Sequence, residues 1–169
     1  EFEYQSGYIA ALEKFGDGDV DEALRLIESL ISGKRGQNAL LWAKSAILLA
    51  KREWEKGLTL IEGDLEDIST PGSVPWNAAC AYFRLEKYGQ ALSAMAKCTE
   101  REFRSSPTAW LAHGLLAHLC GKSAVRNDAI REAVKISPRQ MVYYLGLLKQ
   151  IGVDIEGLPT EDAFLTSRL

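Results

Sequence analysis

Apolar residues along this chain fall into blocks with a helical beat. Ala23, Leu26, Ile27 and Leu30 recur at i, i+3, i+4 and i+7, which lays one apolar stripe along a helix. The same reading gives Trp42, Ala46 and Leu49, then Leu58, Ile61, Leu65 and Ile68. It continues with Trp76, Ala79, Cys80 and Phe83, followed by Ala91, Ala94, Met95 and Cys98. Trp110, Gly114 and Ala117 precede Ile130, Ala133 and Val134. No stretch alternates apolar and polar residues over the length of a strand, so the pattern predicts an all-α protein.

Breakers stand between the stripes. Gly16-Asp17-Gly18-Asp19 closes the first helix, and Asp19 or Asp21 is placed to cap the second. Gly33 and Gly36, the run Thr70-Pro71-Gly72-Ser73-Val74-Pro75, Ser105-Ser106-Pro107 and Ser137-Pro138 divide the chain further. After Pro138 one more helix has Met141, Tyr144, Leu145, Leu148 and Ile151 on one face and Gly152 as its stop.

The blocks repeat. Tyr8, Trp42, Trp76 and Trp110 are spaced by 34 residues, as are Ala23, Gly57, Ala91 and Val125, and Val20, Trp54 and Tyr88. Small residues keep the same step at Ala11, Ser45 and Ala79, where closely crossing helices need one side without bulk. Gly114 points to a one-residue shift in the fourth block, where Arg126 stands at a place expected to be small.

A 34-residue helix–turn–helix period resembles the tetratricopeptide repeat. The stretch Ala81-Tyr82-Phe83-Arg84-Leu85-Glu86-Lys87-Tyr88-Gly89-Gln90-Ala91-Leu92 is similar to that family's turn region, and Trp110, Gly114, Gly121, Ala133 and Pro138 match its Trp, two Gly, Ala and terminal Pro. The resemblance spans roughly Tyr4 to Pro138. It implies a right-handed α-solenoid of about four helix–turn–helix units, at about 4–34, 38–70, 73–104 and 107–137, with a capping helix at 139–152. Together these make a superhelical domain over 1–152, followed by a tail over 153–169. The tail, Leu158 to Leu165, reads as a short helix capped by Thr160.

Such arrays bind an extended peptide or a helix in the groove lined by the first helix of each pair. By that resemblance the groove is formed by Trp42, Ala46 and Leu49, by Trp76, Cys80 and Phe83, and by Leu111, Leu115 and His118, with Asn77 and Arg84 as its polar members. The alternative is that the tryptophans simply pack between units. Members of the family that grip acidic chaperone tails use spaced Lys, Asn and Arg residues. Here only Asn77 stands at a matching position, which argues against that use.

Charge and chemistry narrow the picture further. A formal net charge of −3 over 169 residues, with 47% hydrophobic and 25% charged residues, fits an ordinary globular chain. The nearest thing to a basic patch is Lys34-Arg35 between glycines, which argues against nucleic acid, and no apolar run suits a membrane span. Cys80, Cys98 and Cys120 read as small buried residues of a reducing, cytoplasmic setting. Starting at Glu1, the chain reads as processed or as part of a longer protein. His113 and His118 lie about 140° apart on a helix and cannot share a metal as an i, i+4 pair would. Gly16-Asp17-Gly18-Asp19 lacks the ligands of a calcium loop.

The expectation is therefore no enzyme, no catalytic residue, no cofactor and no metal. The function expected is a protein–protein interaction scaffold that takes a peptide or helix in its groove. The alternatives are a secretion chaperone for an export substrate and a structural module that self-assembles into homo-oligomers.

Overall fold

The structure is a computed structural model that describes residues 2–31, 37–150 and 152–153. Among these residues there are nine α-helices and no strand: α1 (Phe2–Gly16), α2 (Val20–Ile31), α3 (Gln37–Ala50), α4 (Trp54–Thr59), α5 (Ser73–Arg84), α6 (Tyr88–Glu100), α7 (Pro107–Leu119), α8 (Ser123–Ile136) and α9 (Pro138–Gln150). Short 3-10 turns at Glu62–Asp64 and Glu102–Ser105 follow α4 and α6. The Lys34-Arg35 loop and the Leu158–Leu165 tail lie outside the described residues.

The helices come as pairs joined by one recurring turn. After α1, Gly18 donates to the Phe15 carbonyl and Asp19 to that of Lys14. After α3, Arg52 and Glu53 donate to Leu49 and Leu48; after α5, Glu86 and Lys87 to Phe83 and Tyr82; after α7, Gly121 and Lys122 to His118 and Ala117. The middle residue is left-handed every time, with φ of 83° at Gly18, 65° at Arg52, 59° at Glu86 and 68° at Gly121. Two of the four turns meet this demand with glycine, and two hold a bulky residue in a conformation that costs it energy. α9 ends on the same arrangement, with Gly152 at φ 77° and Val153 donating to Leu148.

These turns give the repeat its true register. Successive left-handed positions are 34, 34 and then 35 residues apart, so the shift signalled by Gly114 is real. It also corrects the aromatic column. Buried positions of α5 (Val74, Ala78, Ala79, Ala81, Tyr82) correspond to Ala109, His113, Gly114, Leu116 and Ala117 of α7, one step beyond the 34-residue period. Trp110 is therefore the counterpart of Pro75, and the residue matching Trp42 and Trp76 is Leu111. Val125, the 34-residue match to Ala91, is correspondingly exposed. Val20, Trp54 and Tyr88, by contrast, each open the second helix of a pair, as their spacing implies.

The chain divides into two compact units, Glu1–Ala94 and Met95–Leu169, with the boundary inside α6. The first contains a core of Ala11, Ala23, Ile27, Leu40 and Ile47, onto which Tyr8, Phe15 and Leu30 pack. Asp19 caps α2 by accepting from the Glu22 amide at 3.4 Å. In the second unit Leu111, Ile130, Ala133, Val134, Met141, Leu148 and Val153 form the core, so α9 covers the apolar side of α8. A fully buried aliphatic side chain such as Ile130 contributes about 1.5–3 kcal/mol. Ser106 caps α7 by accepting from Ala109, and Pro107 follows at the first helical position.

The expected long helix through Leu58, Ile61, Leu65 and Ile68 does not form. α4 stops at Thr59, and although Ile61 and Leu65 are buried, Ile68 is 86% exposed. Gly57 and Gly63 weaken helical continuation, and Asp67, Ser69 and Pro71 favour turns. Side-chain bonds hold the segment in place of a helical ladder. The Trp42 indole donates to Asp64 Oδ2 at 2.7 Å, Thr70 Oγ1 donates to the Asp64 carbonyl at 2.8 Å, and the Tyr82 hydroxyl donates to Glu62 Oε1 at 2.7 Å.

Candidate functional site

In the first unit, the outward stripes of α1, α3 and α5 repeat position by position. Tyr8, Trp42 and Trp76 are half-buried; Leu12 and Cys80 are exposed and Ala46 half-buried between them in the repeat; Ile9 is exposed where Ala43 and Asn77 are half-buried. Ala39 and Ala50 continue the α3 stripe, so beside Trp42 that helix shows only alanines. α5 packs directly on α3. On the repeating stripe positions themselves Arg84 is the charged residue, while on α1 the exposed Glu13 borders the stripe one turn after Ile9.

The next column separates two residues that looked equivalent. Leu49 is buried, at 7% exposure, whereas Phe83 is 43% exposed. The cause lies opposite Leu49: a Cβ on Gly57 would stand 2.8 Å from Leu49 Cδ2, so leucine fills the space that glycine leaves. At the matching place in α6 stands Ala91. Phe83 instead packs on Tyr88, ring centroids 5.8 Å apart, and the Arg84 guanidinium lies 5.9 Å from the Trp54 ring. Leu49 belongs to the core and not to a binding face.

Leu111 is likewise core, 6% exposed, which removes a second expected lining residue. Leu115 and His118 are half-buried on α7, and Leu119 beside them is 51% exposed. Leu119 was missed by sequence reasoning, though it holds the position of Arg84 once the 35-residue step is applied. Ile9 and Leu12, 54% and 43% exposed, were missed as well. The 34-residue period from Ala43 and Ala46 leads directly to them.

Cysteine and histidine positions divide in the same way. Cys98 is buried as expected, but Cys80 is exposed because it stands on the outward stripe of α5, and Cys120 is intermediate in the α7–α8 turn. Local desolvation of the thiol pushes the Cys80 pKa up, with Arg84 pulling the other way, so the thiolate is disfavoured. His113 is buried, and its Nδ1 lies 3.2 Å from Thr99 Oγ1. Thr99 Oγ1 also lies 2.9 Å from the Ala96 carbonyl, so the hydroxyl bridges that carbonyl and the imidazole. Burial holds the His113 pKa below the ordinary histidine value, partly offset by Glu100. His118 points along a different side of α7. Among the described residues no group of three His, Cys, Asp or Glu is placed to hold a metal ion.

Set beside known structures, the chain has the fold of tetratricopeptide-repeat proteins. A tetratricopeptide repeat protein from Parabacteroides merdae superposes with a TM-score of 0.73 at 14% identity, over 90% of this chain and 61% of that one. MamA from Desulfovibrio magneticus RS-1 gives 0.69 at 13% identity, over 81% and 77%. YrrB, a tetratricopeptide-repeat protein with an unusual peptide-binding site, gives 0.66 at 15% identity, over 82% and 71%. No family model matches the chain. No curated protein matches it either. No helix among the described residues is long and apolar enough to cross a membrane.

Proposed function

We propose that this protein is an interaction scaffold whose first unit receives an amphipathic helix of a protein partner on the outward stripes of α1, α3 and α5. The observation that carries this reading is the near-absence of charge on that face, combined with exposed Ile9, Leu12 and Phe83. Exposed apolar side chains grouped on one face are a feature of binding surfaces. An extended peptide brings unpaired backbone N–H and C=O groups that its receptor must satisfy. Here the hydrogen-bonding side chains of the face are Gln5, Tyr8, Ser73, Trp76, Asn77 and Arg84, and α3 offers only the Trp42 indole, which is bonded to Asp64. A helix satisfies its own backbone and asks only for apolar contact. In the order α1, α3, α5 the face also runs large, small, large, with the alanines of α3 leaving room for a partner helix. YrrB shares the fold and has a peptide-binding site, which is consistent with this use.

On this reading Trp42, Trp76, Asn77, Cys80, Phe83 and Arg84 contact the partner, while Leu49 supports the face from beneath and Leu111 belongs to the core of the second unit. Leu115 and His118 stand at matching positions in the second unit. The test is capture of partners from the native source, identified by mass spectrometry, with wild type, Leu12→Arg/Cys80→Arg, and Trp76→Ala/Phe83→Ala. The arginine pair adds charge at exposed positions and leaves the core untouched. Both variants are expected to keep their helical circular dichroism and to lose the partners that wild type retains. Retention of those partners by a folded arginine variant contradicts the proposal.

A further inference from the structure

The second unit carries a separate open cleft of about 720 Å³, away from the outward stripe of α7. Thr99, Glu100, Arg104, Ser105, Trp110, Glu132 and Ile136 line it. A volume of that size suits a side chain or a small ligand. Two helix ends contribute: Thr99 and Glu100 finish α6, and Glu132 to Ile136 form the last turn and a half of α8. Helix C-termini carry partial negative charge, and here each one also brings a carboxylate.

The hydrogen-bond inventory points the same way. The Trp110 indole N–H is committed to the Arg104 carbonyl at 2.8 Å, and the Thr99 hydroxyl is engaged by Ala96 and His113. Neither donor is free for an anion. Trp110 is held from two directions, by that bond and by stacking on His113 at 5.8 Å and 16° between planes. Its ring surface is thus a fixed, electron-rich part of the lining. Glu132 pairs with Lys135 at 3.3 Å, but Lys135 is 76% exposed, and such a pair is weak and easily exchanged. Arg104 is the one feature of the lining that opposes a cation.

We propose that this cleft binds the guanidinium of an arginine side chain presented by a partner polypeptide, with Glu100 and Glu132 as its acceptors and Trp110 as its stacking surface. Arginine suits the site better than lysine because a planar guanidinium bonds carboxylates in pairs and stacks on indole. The site is independent of the helix-binding face, and its test does not depend on that face.

The experiment is a titration of the full chain with N-acetyl-arginine N-methylamide, followed through the Trp110 indole N–H cross-peak, which Trp110→Phe assigns. The isosteric neutral citrulline derivative and the glutamate derivative are the controls. The arginine compound is expected to shift the cross-peak saturably, and the citrulline compound to bind about tenfold or more weakly. Glu100→Gln/Glu132→Gln is expected to lose a similar factor while keeping its circular dichroism. Arg104→Gln is expected to bind the arginine compound several-fold more tightly, because it removes the opposing charge. The proposal is overturned if citrulline binds as well as arginine, if the glutamate compound saturates the site, if Arg104→Gln weakens arginine binding, or if no compound gives a saturable shift.

Discussion

The α3–α4 pair of the first unit and the α7–α8 pair of the second solve one packing problem in opposite ways. Both need a close crossing. In α3–α4 the glycine lies on the second helix: a Cβ on Gly57 would stand 2.8 Å from Leu49 Cδ2 and 3.1 Å from the Ser45 carbonyl, and Ser45 Oγ donates to the Gly57 carbonyl at 2.7 Å. In α7–α8 the glycine lies on the first helix: a Cβ on Gly114 would stand 2.7 Å from Ile130 Cγ1 and 3.3 Å from the Arg126 carbonyl. The turns are opposite too, with left-handed Arg52 in one and Gly121 in the other. Finally, α8 runs its full length of 14 residues, whereas α4 runs 6 and hands over to a segment held by side chains. A repeat therefore constrains the sum of bulk at each crossing, not the identity of either residue.

The largest effects are expected at the crossings. Gly57→Val and Gly114→Val should each destabilise by about 3 kcal/mol in chemical denaturation, since overpacking forces backbone to move. A neutral result at either site means that its crossing is not tight. Next comes the segment after α4. Asp64→Ala leaves the Trp42 indole without its acceptor and should cost about 1–3 kcal/mol. Asp128→Ala on α8 removes only an exposed pair with Arg131 and should cost under about 0.5 kcal/mol. Equal costs would erase the distinction between a side-chain-held segment and a helix-held one.

The turns should give smaller changes of opposite sign. Gly121→Ala is expected to destabilise by about 1 kcal/mol, and Glu86→Gly or Arg52→Gly to stabilise by up to about 1 kcal/mol, as measured by urea midpoints. The last effects show only as pH is moved away from neutrality. Burial and the bond to Glu62 push Tyr82 up to about 12, above its ordinary 10.0, so its contribution is complete below pH 10 and lost as pH rises toward 12. His113 moves the other way. Its folded pKa lies below 6.5, so the unfolded chain binds the proton first, and stability falls as pH drops below 6.5. Tyr82→Phe should flatten the alkaline limb and His113→Gln the acid limb, each leaving the other unchanged.

Much of this fold was legible because its signals are local. Helical stripes, the Asp19 cap and the breakers that divide the helices could be read from residue type and spacing. The errors arose where the outcome depended on a residue far away in the chain. Trp110 keeps a 34-residue spacing to Trp76 by number while the helix beneath it has slipped by one; Gly114 signals the slip in the sequence, but its consequence for Trp110 emerges only with the 35-residue step between Glu86 and Gly121. Ile68 continues an apolar stripe on paper, but Gly57, Gly63 and the bonds made by Asp64 and Thr70 end the helix first. Leu49 and Phe83 share a column, yet glycine faces one and alanine matches that place for the other, so one is buried and one exposed. The outward stripes were thus readable in outline, except that Leu49 and Leu111 are buried and Ile9, Leu12 and Leu119 are exposed without having been singled out.

The most direct test of the account is a titration of the isotope-labelled chain with a designed peptide whose apolar residues recur at i, i+3, i+4 and i+7, against a scrambled peptide of equal composition. The account predicts that the patterned peptide becomes helical on binding and perturbs the amides of Leu12, Ala46 and Cys80, while the scrambled peptide does neither. Equal binding of both peptides, or perturbations that avoid α1, α3 and α5, would contradict it.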